Sequence, residues 1–178
     1  TSIDNLSDNG YKTSLIGLSV GTGYEQFEDL YFTPKISASF ENLETTSKAT
    51  TNLKKQEGNY FDTYFTYALD YDLTNKRYKP DDGYRTTFYQ ELPVVSENFE
   101  IINSIEAMSY KKIFDSVTKI SFYGKAVNTI KDNDVRISKR LYVPERKLRG
   151  FEAGKIGPVQ NGDYIGGNYL SSVNFNAT

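Results

Sequence analysis

From Tyr11 onward the chain alternates apolar and polar side chains in runs of roughly ten to fifteen residues, the period-two signature of β-strands. The cleanest run is Gly58–Leu73. Phe61, Thr63, Phe65, Tyr67, Leu69 and Tyr71 share one face, with Asp62, Tyr64, Thr66, Ala68, Asp70 and Asp72 on the other. Leu30–Leu43 follows the same rule, with Leu30, Phe32, Pro34, Ile36, Ala38 and Phe40 on one side; Pro34 removes one ladder donor. Tyr11–Gly21, Tyr84–Val95, Phe99–Tyr110 and Val117–Ile130 read as further strands, and Ile165–Ala177 as a seventh. Gly23–Asp29 reads as a short polar turn, and Glu44–Glu57 as a Thr/Lys/Asn-rich loop with no buried pattern. Pro80 and Asp82-Gly83 supply turn chemistry to Thr74–Gly83, and Lys111–Ser116 turns the chain again. No segment of useful length has a helical period. The prediction is an all-β chain, an antiparallel meander of about seven strands with alternately short and long connections.

Alternation alone also fits a soluble sandwich. Three features favour part of a transmembrane β-barrel. The strands exceed the usual five or six residues of globular sheets and reach the length that crosses a membrane at a tilt. Tyr11, Tyr31, Phe32, Tyr60, Phe61, Tyr71, Tyr84, Phe99 and Tyr110 crowd the strand ends, as interfacial girdles do. Charged residues within the strands fall almost entirely on the polar face, where a wet lumen keeps them hydrated. Only a closed barrel satisfies its backbone in lipid, so residues 1–178 are expected to be a partial barrel whose closing strands lie elsewhere.

Composition narrows this little. The net charge of −2 offers no basic footprint for nucleic acid. Absence of cysteine excludes disulfides and thiolate metal sites. A mean hydropathy of −0.57 without a long apolar run excludes a transmembrane helix but not a barrel. Thr1–Gly10 has no apolar core of a signal peptide, so a true N-terminus upstream, or earlier processing, is expected.

The segment of about 131–165 breaks the alternation. A connection this long in a strand-dense chain is functional or disordered. Its glycines and apolar Leu148, Phe151 and Ile156 predict a packed, functional loop. Within it stand Leu148-Arg149-Gly150-Phe151, then Gly157-Pro158 and Gly166-Gly167-Asn168. Upstream, Asp72, Arg77, Pro80, Gly83 and Arg85 are spaced D-x4-R-x2-P-x2-G-x-R. In this order and combination, which covers about a third of the chain, the sequence resembles the BamA family of bacterial outer-membrane assembly factors.

That resemblance implies a sixteen-stranded barrel, of which these strands are the sixth to the twelfth, preceded by periplasmic repeat domains. It makes the 72–85 motif a periplasmic turn. It folds the long loop into the lumen and holds Arg149 against the inner wall, with Gly150 permitting the turn and Phe151 packing beside it. A guanidinium suits that post because it stays charged and donates in a planar fork. Two departures stand out: Val143-Pro144-Glu145 replaces a Gly-Gly pair before the hallmark, and Asn174-Phe175 replaces Glu-Phe after it. The family's partners for the arginine lie on the next strand, beyond Thr178.

The implied function is non-enzymatic insertion of β-barrel proteins, in the outer membrane of a Gram-negative bacterium and without cofactor or metal. Its partners would be unfolded outer-membrane proteins, accessory assembly lipoproteins and outer-membrane lipids. A weakly paired seam would template incoming strands. The alternative is a two-partner-secretion pore of the same superfamily. An outer-membrane hydrolase is disfavoured by the absence of histidine, and a soluble β-sandwich binding module is the remaining reading. Gly21-Thr22-Gly23 lacks the helix of a phosphate loop, and Asp132-Asn133-Asp134 has too few ligands after it for calcium. Asp70 and Asp72 read as hydrated wall charges rather than an acid/base pair.

Overall fold

A computed structural model describes residues 2–6, 10–47, 49–131, 133–152, 154–160 and 162–178. Asp132 of the acidic triplet lies outside them. The strands are β1 (Ser2–Leu6), β2 (Tyr11–Gly21), β3 (Tyr24–Phe27), β4 (Leu30–Thr45), β5 (Gly58–Asp72), β6 (Asp82–Val95), β7 (Glu100–Ile113), β8 (Ser116–Thr129) and β11 (Tyr169–Ala177). β9 (Val159–Gln160) and β10 (Asp163–Tyr164) form a separate small hairpin, and α1 (Thr51–Lys54) is one helical turn. The large sheet runs β1-β2-β4-β5-β6-β7-β8-β11, every pair antiparallel, with β1 and β11 at its edges. β3 continues the rail of β2 along β4, from Tyr24↔Phe32 to Phe27↔Leu30.

Register is continuous from Leu30↔Tyr71 to Leu43↔Gly58 and from Glu100↔Thr129 to Ile113↔Ser116. The two prolines within strands, Pro34 in β4 and Pro93 in β6, sit where the ladder gives way. Pro93 adjoins the irregularity between Thr63 and Tyr64 on β5. Pro34 accepts from the Thr22 amide at 3.1 Å, so its missing donor faces the break between β2 and β3. Rings on the apolar face link neighbouring strands: Tyr24 to Phe32, Phe32 to Tyr67 and Tyr67 to Phe88, with centroids 5.8–6.1 Å apart.

The burial pattern is inverted relative to a soluble sandwich. Leu18 and Val20 are 71% and 75% exposed, and Ile36, Phe40, Phe61, Ile120, Val173 and Phe175 share that bare apolar face. Asp62, Glu100 and Arg136 are at most 1% exposed on the other side. A globular protein does not leave an apolar sheet face bare while burying charge. A barrel wall does, with lipid on one side and a polar interior on the other. The all-β transmembrane reading therefore holds.

Several local expectations need correction. Ser2–Leu6 and Tyr24–Phe27 are strands, although their sequences are polar; each is recruited by pairing with a strongly alternating neighbour. The last strand begins at Tyr169, not Ile165, because Leu141 and Gly167 pair in a bridge before it. Glu44–Glu57 does bury side chains: Ala49, just before the helical turn, and Leu53 within it. Thr50 caps that turn by accepting from the Leu53 amide at 3.3 Å. Ala49 and Leu53 join Tyr11, Leu43 and Ile137 in one small core, while Ile102, Val127, Val135 and Leu141 form a second. Both cores contain residues of the long connection after β8, so that segment packs onto the polar face of the sheet.

Candidate functional site

The connection from β8 to β11 folds back over the polar face and is held there by charge. Its first anchor is Arg136. Nη1 donates to Glu41 Oε2 at 3.1 Å, and Nη2 donates to Asp62 Oδ2 at 2.6 Å and Glu100 Oε2 at 3.3 Å. The Arg136 amide donates to Glu100 Oε1 at 2.7 Å, and the guanidinium lies 4.1 Å from the Tyr60 ring centre. The carboxylates come from β4, β5 and β7. Ser96, just past β6, donates to Asp62 Oδ1 at 2.7 Å, so the residues around one cation tie together the loop ends of four successive strands. Burial alone would lower the guanidinium's pKa. The carboxylates of Glu100, Asp62 and Glu41 outweigh it and hold the pKa above its ordinary value. Arg136 is therefore a permanent cation, and the planar fork lets it meet three acceptors at once.

From Arg136 the segment makes a 3-10 turn, Ile137–Lys139. Here the Ile137 amide donates to Gln56 Oε1 at 2.8 Å and the Lys139 ammonium lies 4.9 Å from the Tyr64 ring centre. Leu141 and Gly167 exchange backbone hydrogen bonds at 2.8 and 2.9 Å, closing the base of the outer excursion. Gly166 has φ +68, and a Cβ there would lie 3.1 Å from the Leu141 carbonyl oxygen, so this turn requires glycine. A second 3-10 turn, Glu145–Lys147, brings Lys147 to its ion-pair partner Glu106 and to 4.6 Å from the Tyr123 ring centre. Asn174 donates to the Lys147 carbonyl at 3.0 Å, so the departure Asn174-Phe175 provides a loop contact of its own. Glu106 lies six residues beyond Glu100 on β7, about 20 Å along the strand at 3.4 Å per residue. The segment thus runs down the inner face of the wall rather than across its rim.

The hallmark residues follow this second anchor. Leu148 is half-buried, Arg149 and Gly150 are exposed, and Phe151 is 60% exposed. Among the described residues Arg149 has neither an ion pair nor a hydrogen bond from its side chain. Gly150 has φ +87, as a tight turn needs. Phe151 is not packed, and the apolar anchors of the loop are Val135, Ile137 and Leu141 rather than Leu148, Phe151 and Ile156. Gly157 and Pro158 lead into the β9–β10 hairpin, where the Ile165 amide donates to the Pro158 carbonyl at 3.0 Å. The structure thus brings Gly166 and Gly167 into the loop base and leaves Arg149 and Phe151 free of this wall.

The second motif lies at the opposite end of the sheet. Arg85 Nε donates to Asp70 Oδ1 at 2.8 Å, its Nη2 pairs with the same carboxylate, and Asp72 lies 3.7 Å away. Asp70 and Asp72 are therefore ion-paired wall charges. Asp72 also accepts from the Thr74 amide at 3.0 Å. Gly83 has φ +99, and a Cβ there would fall 2.2 Å from the Leu73 carbonyl oxygen. Asn75 accepts from the Asp81 and Asp82 amides, both at 3.2 Å, and Lys76 pairs with Asp81 at 2.6 Å. The hydrogen bonds from Lys76 and Asn75 hold the Asp81 carboxyl below its ordinary pKa. Pro80 is half-buried in this turn, whereas Arg77 is exposed.

Long antiparallel strands, apolar on one face and charged on the other, with a loop pinned along the charged face, define the wall of an outer-membrane β-barrel. The chain belongs to the Omp85 superfamily, whose domain it matches over residues 2–177. It is 30% identical over 124 residues to the human sorting and assembly machinery component 50 homolog, covering 65% of this chain and 25% of that protein. The homolog A from Xenopus laevis is 26% identical over 128 residues, 67% of this chain and 26% of that one. The chain thus spans about a quarter of the length of these relatives. Among solved structures, BamA from Haemophilus ducreyi lacking POTRA domains 1–3 superposes with a TM-score of 0.81 at 17% identity. That match covers 93% of this chain and 37% of that one. The likeness to that structure is one of fold. The resemblance read from the loop and turn motifs thus holds for the superfamily and for the barrel.

Proposed function

We propose that this chain is part of the barrel of a machine that assembles and inserts β-barrel proteins into the outer membrane of a Gram-negative bacterium. The observation that carries the reading is a long internal loop seated on the charged inner wall of an Omp85 barrel. The likeness to a sorting and assembly machinery component and to BamA supports assembly as the activity. On this reading residues 1–178 are a partial barrel domain with a lumen-folded loop at about 131–165, and the full protein adds periplasmic repeats and closing strands. Its role is non-enzymatic. Its partners are unfolded outer-membrane proteins, accessory lipoproteins and outer-membrane lipids. The turn of Asp72, Arg77, Pro80, Gly83 and Arg85 faces the periplasm. Leu148, Arg149, Gly150 and Phe151 form the working tip, with Gly157, Pro158, Gly166 and Gly167 shaping its return. The exposure of Arg149 and Phe151 suits contact with the remainder of the barrel.

The test is replacement of the native full-length gene by an Arg149→Ala version. Folded outer-membrane protein levels should drop, and the barrel should unfold at a lower temperature on heated gels. Unchanged levels together with an unchanged heat shift would overturn the reading. Fractionation checks the location: the animal relatives make a mitochondrial outer membrane the other outcome, and recovery there would refute the bacterial one.

A further inference from the structure

We propose that Arg136 is a positioning residue that seats the long loop on this wall, independently of the R-G-F tip. The inference rests on the loop being internal to an Omp85 barrel, and it adds a second anchorage that the hallmark motif does not contain.

Three observations carry it. First, Arg136 is the only cation within bonding distance of Glu41, Asp62 and Glu100 among the described residues, and it is 1% exposed. Its partners all precede it in sequence and come from β4, β5 and β7 of one continuous sheet, β5 and β7 both flanking β6. Second, the contacts after it form a path down the wall: Lys139 at Tyr64, the Leu141–Gly167 bridge, then Lys147 between Glu106, Tyr123 and the Asn174 amide. Arg136 stands at the head of that path and fixes its lateral position across β4 to β7. Third, Arg149 and Phe151 at the far end touch none of this network. The tip is therefore presented by the seat rather than forming part of it. The cluster has three carboxylates for one guanidinium, so withdrawal of the loop would leave like charges facing one another in a confined space. The loop's seated position is the arrangement that places a cation among all three carboxylates and offsets part of their repulsion.

The test uses the full-length barrel in native outer membranes, with Arg146→Cys and Ser172→Cys added as a reporter pair: Arg146 adjoins Lys147, which lies at Tyr123, and Ser172 is the register partner of Tyr123, so Lys147 and Asn174 stay intact. A short bifunctional thiol reagent reads how often the lower limb lies on the wall. Arg136→Ala should lower the seated-to-lifted ratio read from the cross-linking roughly tenfold, which about 1.4 kcal/mol of lost seating would produce. Arg149→Ala should leave the yield unchanged. Because Arg136→Ala strands three buried carboxylates and could fail to fold, a second variant combines Arg136→Met with Glu41→Gln, Asp62→Asn and Glu100→Gln. It removes the charge without leaving it unpaired, and its cross-link should fall as well. A full cross-link in this neutral variant, or an equal loss in Arg149→Ala, would overturn the proposal. The readout is independent of assembly activity, so it stands or falls separately from the proposed function.

Discussion

Replacing Arg136 by methionine isolates the value of the buried cluster. Methionine keeps much of the length and volume of the side chain and removes the charge. Arg136 bonds to Glu41, Asp62 and Glu100 at 3.1, 2.6 and 3.3 Å, with none of the four side chains more than 3% exposed. Removing one partner from a buried pair costs about 3–5 kcal/mol, because the other charge is left without compensation. Here three carboxylates lose one shared partner, but their strand-end position lets water enter once the loop lifts, so the expected loss is near the lower figure, about 3 kcal/mol. That corresponds to a change of roughly 150-fold in the folding equilibrium. The assay is a reversible urea titration of the full-length barrel in lipid vesicles, followed by tyrosine fluorescence and by heat-modified mobility. Adding Glu41→Gln, Asp62→Asn and Glu100→Gln to Arg136→Met should recover most of the loss, since neutral side chains bear no comparable burial cost. A loss under about 1 kcal/mol, the value of an exposed pair, would refute the argument that the cluster is dry and binding.

Further predictions follow from the inverted faces and the tight turn. Leu18 is 71% exposed and pairs with Ala38 midway along β4. Leu18→Arg should cost about 2–4 kcal/mol if that face meets lipid, against roughly 0.5 or less on a soluble surface; urea titration in vesicles separates the two. Gly83→Ala puts a Cβ 2.2 Å from the Leu73 carbonyl oxygen at φ +99, so the β5–β6 turn must open. A loss of about 1–3 kcal/mol is expected, with faster amide exchange at Asn75 and Asp82. The Asp81 carboxyl is held below its ordinary pKa by Lys76 and Asn75. Its contribution to the turn is present above the unfolded-state pKa and fades as pH falls through the depressed folded value. Exchange at residues 74–82 should accelerate over that acidic window and lose this dependence in Asp81→Asn.

Most of the meander was legible because a period of two over long stretches leaves one arrangement that buries or solvates each face consistently. Tyr11–Gly21 was bounded correctly for that reason, and Gly58–Leu73 to within one residue at its end. Ser2–Leu6 and Tyr24–Phe27 were missed because their pairing is imposed by β2 and β4 rather than by their own pattern. The turn of residues 72–85 was legible in chemistry as well as position, since Gly83 and Arg85 do the steric and electrostatic work their types suggest. The long connection was legible as a break in the alternation, but its anchor on the polar face was not. Arg149 belongs to a local motif, whereas Arg136 is defined by partners 36 to 95 residues away. A signal was present nonetheless. Glu41, Asp62 and Glu100 each occupy a polar-face position near the loop end of a strand, and three carboxylates drawn together by register demand a cation. The nearest connection offers Arg136, Lys139 and Arg140 in succession.

Why the seat is ionic follows from the wall it rests on. A lumen-facing surface of Glu, Asp, Lys and Thr gives an apolar loop little area to bury; among the described residues the two small cores hold five and four buried residues. Apolar packing there would also tolerate sliding, because one aliphatic contact is much like the next. A guanidinium shared by three fixed carboxylates has one location, and a shift of a single strand position would forfeit at least one bond. Such a contact adds less net stability than its distances suggest, since the desolvation of four charges offsets much of the attraction. What it supplies is position. Lys147 at Glu106 then fixes the direction of descent, and the two ion pairs together determine where the Arg149 tip stands without engaging it. Beyond Lys147 the described backbone turns through Gly150, Gly154 and Gly157, all at positive φ. A tip of that kind can meet a different surface while the limb that carries it stays registered to β4 through β8.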